Sequence, residues 1–389
     1  MKISGTNTIA SLLLKNILFL CFILIRAQTV SAQEQKMLPN LLQLKKDSKN
    51  EIFHHLGQAV KKGGFYLKGY WVWDNTVIKG DDGKYHLFSS CYSDTIVFHP
   101  GWMVSAEIIH AVADKPEGPF RFVNKALKTR GAQYWDGRSV FNPQIFKHNG
   151  KYYMFYVGST HPFEDPKRGE LTLDSKWCIV GRSNKRVGLA VSNSLDGPWK
   201  RMDKPILETE PNTFYSFLTS NPTMVINKDG SVLMIFKARS YEGTKYSDMS
   251  LGVAYAKNIF GPYKVLNNKQ PVFSAKLTGE LEDPFLWKDS KGYHVVFKDH
   301  KAKYTGELGG GVSATSINGT DWKMDSDAKA YSKTIQWDDS TIEKRGQLER
   351  PFILFENNKP RCMYFSTMDG KGGFENGTSS GIVAIPFVK

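Results

Sequence analysis

From about residue 65 onward, apolar, aromatic and β-branched residues fall in short runs, each cut off by Gly, Asp, Asn or Pro. Runs of this length and makeup predict strands, and no long segment with a 3.6-residue period interrupts them. The runs recur as a unit. Asp74-Asn75-Thr76-Val77-Ile78-Lys79 leads through Asp82-Gly83 to Lys84-Tyr85-His86-Leu87-Phe88. Asn142-Pro143-Gln144-Ile145-Phe146 leads through Asn149-Gly150 to Tyr152-Tyr153-Met154-Phe155, and Asn221-Pro222-Thr223-Met224-Val225 through Asp229-Gly230 to Val232-Leu233-Met234-Ile235-Phe236. Asp283-Pro284-Phe285-Leu286-Trp287 is followed by Gly292-Tyr293-His294-Val295-Val296-Phe297, and Arg350-Pro351-Phe352-Ile353-Leu354 by Asn357-Asn358 and Arg361-Cys362-Met363-Tyr364-Phe365. Each unit predicts strand, tight turn, strand, because Asn-Gly and Asp-Gly match the twist of a hairpin.

A second motif trails the first. Ile109-His110-Ala111-Val112-Ala113 precedes Gly118-Pro119-Phe120, and Gly188-Leu189-Ala190-Val191-Ser192 precedes Gly197-Pro198-Trp199. Gly252-Val253-Ala254-Tyr255-Ala256 precedes Gly261-Pro262-Tyr263, while Gly311-Val312-Ser313-Ala314-Thr315 precedes Gly319 and Trp322. A fifth copy, Gly381-Ile382-Val383-Ala384-Ile385, ends the chain without that turn. The lead residues lie 68, 79, 62 and 67 positions apart. This spacing, with three or four strands per unit, predicts an all-β fold, a five-bladed β-propeller over residues 65–389. Two stacked sandwiches are the alternative, which five matched units disfavour. A ring of sheets must hide its edges. The last unit is one strand short, so the segment around Phe65 to Tyr70 is expected to complete it.

Ahead of the repeats, Leu41, Leu42, Ile52, Phe53, Leu56 and Val60 space a single helix over Leu38 to Lys62, ended by Gly63-Gly64. Residues 33–64 therefore form a partly helical leader. Residues 1–32 have the pattern of an export signal: Lys2 and Lys15, an apolar run from Ile17 to Ile25 too short to span a bilayer, then Val30-Ser31-Ala32 as a cleavage site. The protein is expected to be exported, periplasmic or secreted, with no membrane span.

Composition narrows the function further. The chain has 389 residues, 41% hydrophobic and 23% charged, which excludes a disordered chain or a small disulfide scaffold. Its net charge is +14, or +11 once Lys2, Lys15 and Arg26 leave with the signal. The Lys and Arg are scattered with no basic arm, so nucleic acid is not an expected partner. The charge is either solvated surface or suited to an acidic glycan. Cys91, Cys178 and Cys362 allow one disulfide and a free thiol, and no CxxC spacing supports zinc or redox chemistry.

In a propeller the first strands line the central channel, so the five lead motifs should converge at its mouth. They carry Asp74, Asn142, Asn221, Glu282 with Asp283, and Glu349 with Arg350. One Asp-Pro is a turn residue. Four carboxylates and an arginine on matched repeats are a candidate site, because crowded carboxylates push their pKa values apart and so separate an acid from a base. Glycoside hydrolysis uses such a pair. Around them, Trp71, Trp73 and Trp135 are either platforms for a sugar face or core. Arg138, Arg239, Arg350, Lys237 and His300 either hold a carboxylate or sulfate or ion-pair with the acidic cluster. No His/Glu spacing argues for a catalytic metal; a structural calcium in the channel is compatible with these residues.

The Asp-led first strands and the Glu two before Pro in the fourth unit resemble the five-bladed glycoside hydrolases of family 43 and its relatives, including families 32 and 117. The resemblance spans most of the chain as a repeat pattern and implies Asp74 as general base and Glu282 as general acid. From their places beside the lead motifs and inner strands, Trp73, Asn75, Arg138, Asn142, Asn221, Arg239, His300 and Arg350 are expected to bind substrate. Two positions depart from the pattern. Asp74 is followed by Asn75 rather than Pro, and the third unit has Asn221 where the family has a pKa-tuning Asp. That role would pass to Asp283 or Glu349, either of which is also an alternative acid. The expected activity is exo-acting, inverting cleavage of plant or algal oligosaccharides. The rivals are a polysaccharide lyase using Tyr, His and Arg on the same scaffold, and a non-catalytic glycan-binding propeller.

Overall fold

The computed structural model describes residue 41 and residues 43–388, apart from 168, 244, 268 and 269; the expected export signal lies outside these residues. Five antiparallel sheets follow one another along the chain. The first four have four strands each, beginning with the inner strands Tyr70–Lys79, Ser139–His148, Leu218–Ile226 and Leu281–Asp289. The fifth has three, Gln347–Glu356, Lys359–Met368 and Ser380–Pro386. The inner strand of each blade packs against that of the next, and the fifth returns to the first, closing the ring of a five-bladed β-propeller. Between blades, side chains cap the neighbouring backbone: Thr76 Oγ1 accepts from Ile145 N (3.2 Å) and Thr223 Oγ1 from Leu286 N (2.9 Å).

Two of the five hairpin turns have the predicted twist, whereas in Asp82-Gly83 and Asp229-Gly230 only the glycine has positive φ. Asn149 and Gly150 both have positive φ (48° and 74°), as do Asn357 and Asn358 (51° and 60°), the signature of a type I′ hairpin. The three Gly-Pro-aromatic turns share one geometry: Gly118, Gly197 and Gly261 have φ of 85°, 89° and 91°, and each following prolyl bond is cis.

The leader folds differently from the single helix that its apolar spacing suggests. Its described helices are short; one is Glu51–His55, whose N-terminus is capped by the Asn50 side chain. From Leu56 the chain is extended and runs antiparallel to the last strand of blade five. Leu56 bridges Phe387 and Phe65 bridges Ile382, with Phe65 N donating to Ile382 O (3.0 Å) and Ile382 N to Phe65 O (2.8 Å). The closing segment thus pairs at Phe65 as expected but begins nine residues earlier, and Tyr70 belongs to blade one. The reason is competition for the same apolar side chains. Phe53, Leu56 and Ala59 are fully buried against blades four and five, and pairing satisfies a sheet edge that a helix would have left open.

Cys91, Cys178 and Cys362 are all free and buried, so of the pairings their number allows none forms among them. Cys91 and Cys362 sit in strands of blades one and five, and Cys178 in the helix Lys176–Ser183. Among the described residues no helix is long and apolar enough to cross a membrane.

Candidate active site

All five inner strands break register at the same place. In blade one Asp74 and Asn75 together face Ser89; in the other blades Asn142-Pro143, Asn221-Pro222, Asp283-Pro284 and Arg350-Pro351 face one residue of the second strand. These are two-against-one bulges, which re-aim side chains. The first residue of each is left-handed, with φ of 56°, 57°, 45°, 56° and 56°. Asn and Asp tolerate that conformation through local hydrogen bonds. Arg350 has no such help, and its backbone strain costs on the order of 1–3 kcal/mol. The bulges are why the lead residues share one destination: Asp74, Asn75, Asn142, Asn221, Asp283 and Arg350 line one pocket at the channel.

Two linked charge clusters fill this region. In the first, Arg350 lies between two carboxylates, its Nε 3.0 Å from Asp74 Oδ1 and its Nη1 2.7 Å from Asp283 Oδ1. These are charge contacts without the alignment of hydrogen bonds. Asp74 is fixed further by Ser90 Oγ and Asn142 N, which donate to Oδ2 at 2.5 and 3.0 Å. Asn221 Nδ2 donates to Asp283 Oδ1 (2.9 Å), and Asn75 Nδ2 to Arg350 O (2.9 Å). Burial pushes the Asp283 carboxyl up to about 7, reinforced by the charges of Glu282 and Glu349 and opposed by Arg350.

In the second cluster, Glu282 and Glu349 stand one residue before the left-handed position in adjacent blades. Lys298 donates to Glu349 and lies 3.5 Å from Glu282 Oε2, while Lys237 donates to Glu282 Oε1. Burial alone would raise the Glu282 carboxyl, but Lys237, Lys298 and Arg350 hold it well below the usual range. Burial likewise works against the charge of Lys298, and Glu349 and Glu282 more than offset it. His300 Nδ1 is 3.9 Å from Glu282 Oε2 and partly exposed; burial lowers its pKa.

The other candidates are not among the residues that line the pocket. Trp73 packs edge-on to Phe98 (4.9 Å) and Phe374 (5.6 Å), Trp71 donates from Nε1 to Ile96 O, and Trp135 stacks on Tyr156; all three are wall or core. Arg138 holds the blade-two insertion through Asp165 (3.2 Å) and Phe163 O (2.9 Å). Arg239 donates to Ser247 O (2.5 Å) and lies 3.7 Å from Glu280. Arginines at strand ends paired with rim partners that sequence spacing does not reveal. Lys298 and Lys185 escaped notice because each sits in or beside an ordinary strand run. Among the described residues no three His, Cys, Asp or Glu side chains gather as a metal would require.

The fold belongs to a known class. It is similar to a solved glycoside hydrolase (TM-score 0.63, 15% identity, 87% of this chain and 94% of that one). It is also similar to a family 117 glycoside hydrolase of the marine bacterium Zobellia galactanivorans (TM-score 0.60, 17% identity, 87% and 91%) and to a thermostable family 43 glycoside hydrolase (TM-score 0.55, 11% identity, 82% and 90%). In sequence, the chain is 23% identical over 237 residues to a probable arabinan endo-1,5-α-L-arabinosidase C of Aspergillus flavus, covering 60% of each. It is 40% identical over 88 residues to a β-xylosidase of Xylanibacter ruminicola, covering 22% of each. The chain thus spans three-fifths or less of the curated relatives it matches. No family profile matches it. The resemblance to families 43 and 117 seen in the repeats is borne out in the five-bladed fold.

Proposed function

We propose that this protein is an exported glycoside hydrolase that acts on arabinan- or xylan-like polysaccharides of plants or algae, exo-acting and with inversion. The observation that carries the reading is the convergence, through five matched bulges, of Asp74 and Asp283 on one pocket at the channel mouth, with Glu282 next to Asp283 in the chain, in a fold similar to those of glycoside hydrolases.

Asp74 is the general base. Its Oδ2 is oriented by Ser90 and Asn142, and its carboxylate accepts the proton of the water that attacks the anomeric carbon. The proton donor is the adjacent pair Glu282–Asp283. Crowded carboxyls in one buried patch share a proton, and here burial and the neighbouring charges favour its residence on Asp283. Lys237 and Lys298 hold the Glu282 carboxyl well below its ordinary pKa. The glycosidic oxygen takes the shared proton as its bond to the anomeric carbon breaks. Asn142, Asn221 and Asn75 supply neutral polar groups for sugar hydroxyls.

The test is to incubate the purified chain with arabinan, xylan and algal oligosaccharides and follow the released sugar by NMR. Inverted monosaccharide products support the reading. Retained configuration rejects the direct-water route, and the absence of any released sugar rejects the hydrolase. A second reading, a glycan-binding propeller without turnover, is favoured by one observation: Asp74, Asp283, Glu282 and Glu349 each already face a cation. Binding of the same oligosaccharides without any product would select it.

A further inference from the structure

The long connections after the second strands of blades one and two carry the helices Phe98–Ser105 and Lys176–Ser183, which pack on each other beside the channel mouth. Between them lies Lys185. Its side chain is 3% exposed, and its Nζ sits 4.0 Å from the centre of the Trp102 ring and 5.7 Å from that of Phe141, the residue before Asn142 of the channel lining. Among the described residues Lys185 Nζ has no carboxylate within ion-pair distance and no hydrogen-bond acceptor. Arg182, on the same wall, also lacks a carboxylate; it donates to Tyr246 Oη and touches Cys178 Sγ at 3.9 Å.

This arrangement departs from the rest of the mouth. Lys237 and Lys298 are matched with Glu282 and Glu349, Arg350 with Asp74 and Asp283, and Arg239 with Glu280. Among the described residues Lys185 and Arg182 are thus two cations of the blade-two side without a carboxylate. A buried ammonium whose only close partner is an aromatic face is expensive unless an anion completes it. Its neighbours register the imbalance. Burial, with the fields of Lys237, Arg182 and Arg350, drives the Lys185 ammonium well below its ordinary pKa. Burial together with Arg182 and Lys185 drives His99, whose Nδ1 accepts from Trp102 Nε1 at 3.2 Å, down to about 4. His99 is thus neutral and cannot be the cation that an anion finds there.

We infer that Lys185 and Arg182 form an anion subsite at the channel mouth, which takes the carboxylate or sulfate group of an acidic sugar residue beside the bond to be cleaved. This deepens the glycan-site reading of the mouth and rests on it. The two cations select the charged substituent, and the Trp102 ring beneath the Lys185 ammonium holds it in place. Lys185 and Arg182 act here as binding residues, with no role in bond cleavage.

The subsite is tested by binding, without reliance on turnover. The intact protein is titrated at constant ionic strength with sodium sulfate, with a galacturonic acid trisaccharide, with a sulfated galactose trisaccharide and with neutral xylotriose, following tryptophan fluorescence and calorimetric heat. Expected is a preference for an acidic trisaccharide over xylotriose of about tenfold or more, the worth of one charged hydrogen bond. Lys185→Met should erase it, and so should Arg182→Gln, which removes a half-buried side chain and serves if the first variant does not fold. Whichever acidic sugar binds more tightly identifies the anion as carboxylate or sulfate. Equal binding of acidic and neutral sugars, or a preference that survives both substitutions, overturns the inference. If the acidic sugars bind as expected but no glycan is ever cleaved, the hydrolase reading falls and the subsite stands.

Discussion

The Nε of Arg350 lies 3.0 Å from Oδ1 of Asp74, although the two residues are 276 positions apart in the chain. The contact joins the last blade to the first at the floor of the channel, and Val72 N to Ser380 Oγ (2.9 Å) joins them again nearby. The residue assigned as general base is therefore held by the blade that folds last in sequence order.

Substituting Arg350 by Met should be among the most damaging single changes. Asp74 and Asp283 would face each other in a buried pocket without their shared cation, and breaking a buried pair costs about 3–5 kcal/mol. A urea midpoint close to that of the parent protein would contradict the account of the channel given above.

Asp74→Asn keeps the shape and the contacts with Ser90 while removing the proton acceptor. Turnover should fall by about 10²- to 10⁴-fold, with an unchanged circular dichroism spectrum and a largely unchanged KM. A variant that cleaves at the parent rate removes Asp74 from the mechanism.

The pH dependence follows from Asp283. Its carboxyl is raised to about 7 in the folded protein, whereas an unfolded Asp titrates near 3.9. The folded state therefore binds more protons between those values. The contribution of this group is fully present below pH ~4 and is lost as pH rises through about 7. Stability should decline over that window, and Asp283→Asn should flatten the slope. Turnover should fall on the alkaline side of about pH 7 for the same reason. A stability profile that rises from pH 4 to 7 equally in both proteins would sink the assignment.

Lys298→Met should leave Glu282 and Glu349 buried without the ammonium between them. Removing one partner from such a buried cluster again costs about 3–5 kcal/mol. The loss should be smaller at low pH, where carboxyls can take up protons, than at pH 8. Chemical denaturation at the two pH values measures the difference.

Deleting the chain up to Gly64 should open the edge of the strand Ser380–Pro386 and uncover the pocket that Phe53 and Leu56 fill. The expected result is a lower urea midpoint and self-association in light scattering. A monomer of parental stability would show that the ring needs no closing segment.

Much of this was legible in the chain. Pro and Asx at matched intervals marked the inner strands, since only a few residue types tolerate the left-handed bulge, and that pointed to Asp74, Asn142, Asn221, Asp283 and Arg350 together. The partners of those residues were not legible. Lys298 meets Glu349 only across a blade boundary, and Lys185 follows a helix whose fold over the mouth has no periodic trace. Trp73 looked like a sugar platform because an aromatic beside an Asp reads alike whether it faces the channel or Phe98. The leader misled for a simpler reason. Leucines spaced for a helix also satisfy an extended strand when a sheet edge is waiting for one.

The seam between first and last blades also sets an order of events. A partly synthesised chain that has built four blades carries Asp74 and Asp283 with no guanidinium between them and no lysine-flanked glutamate from blade five. The charge arrangement at the axis is complete only when the final wedge, which supplies Arg350 and Glu349, is in place.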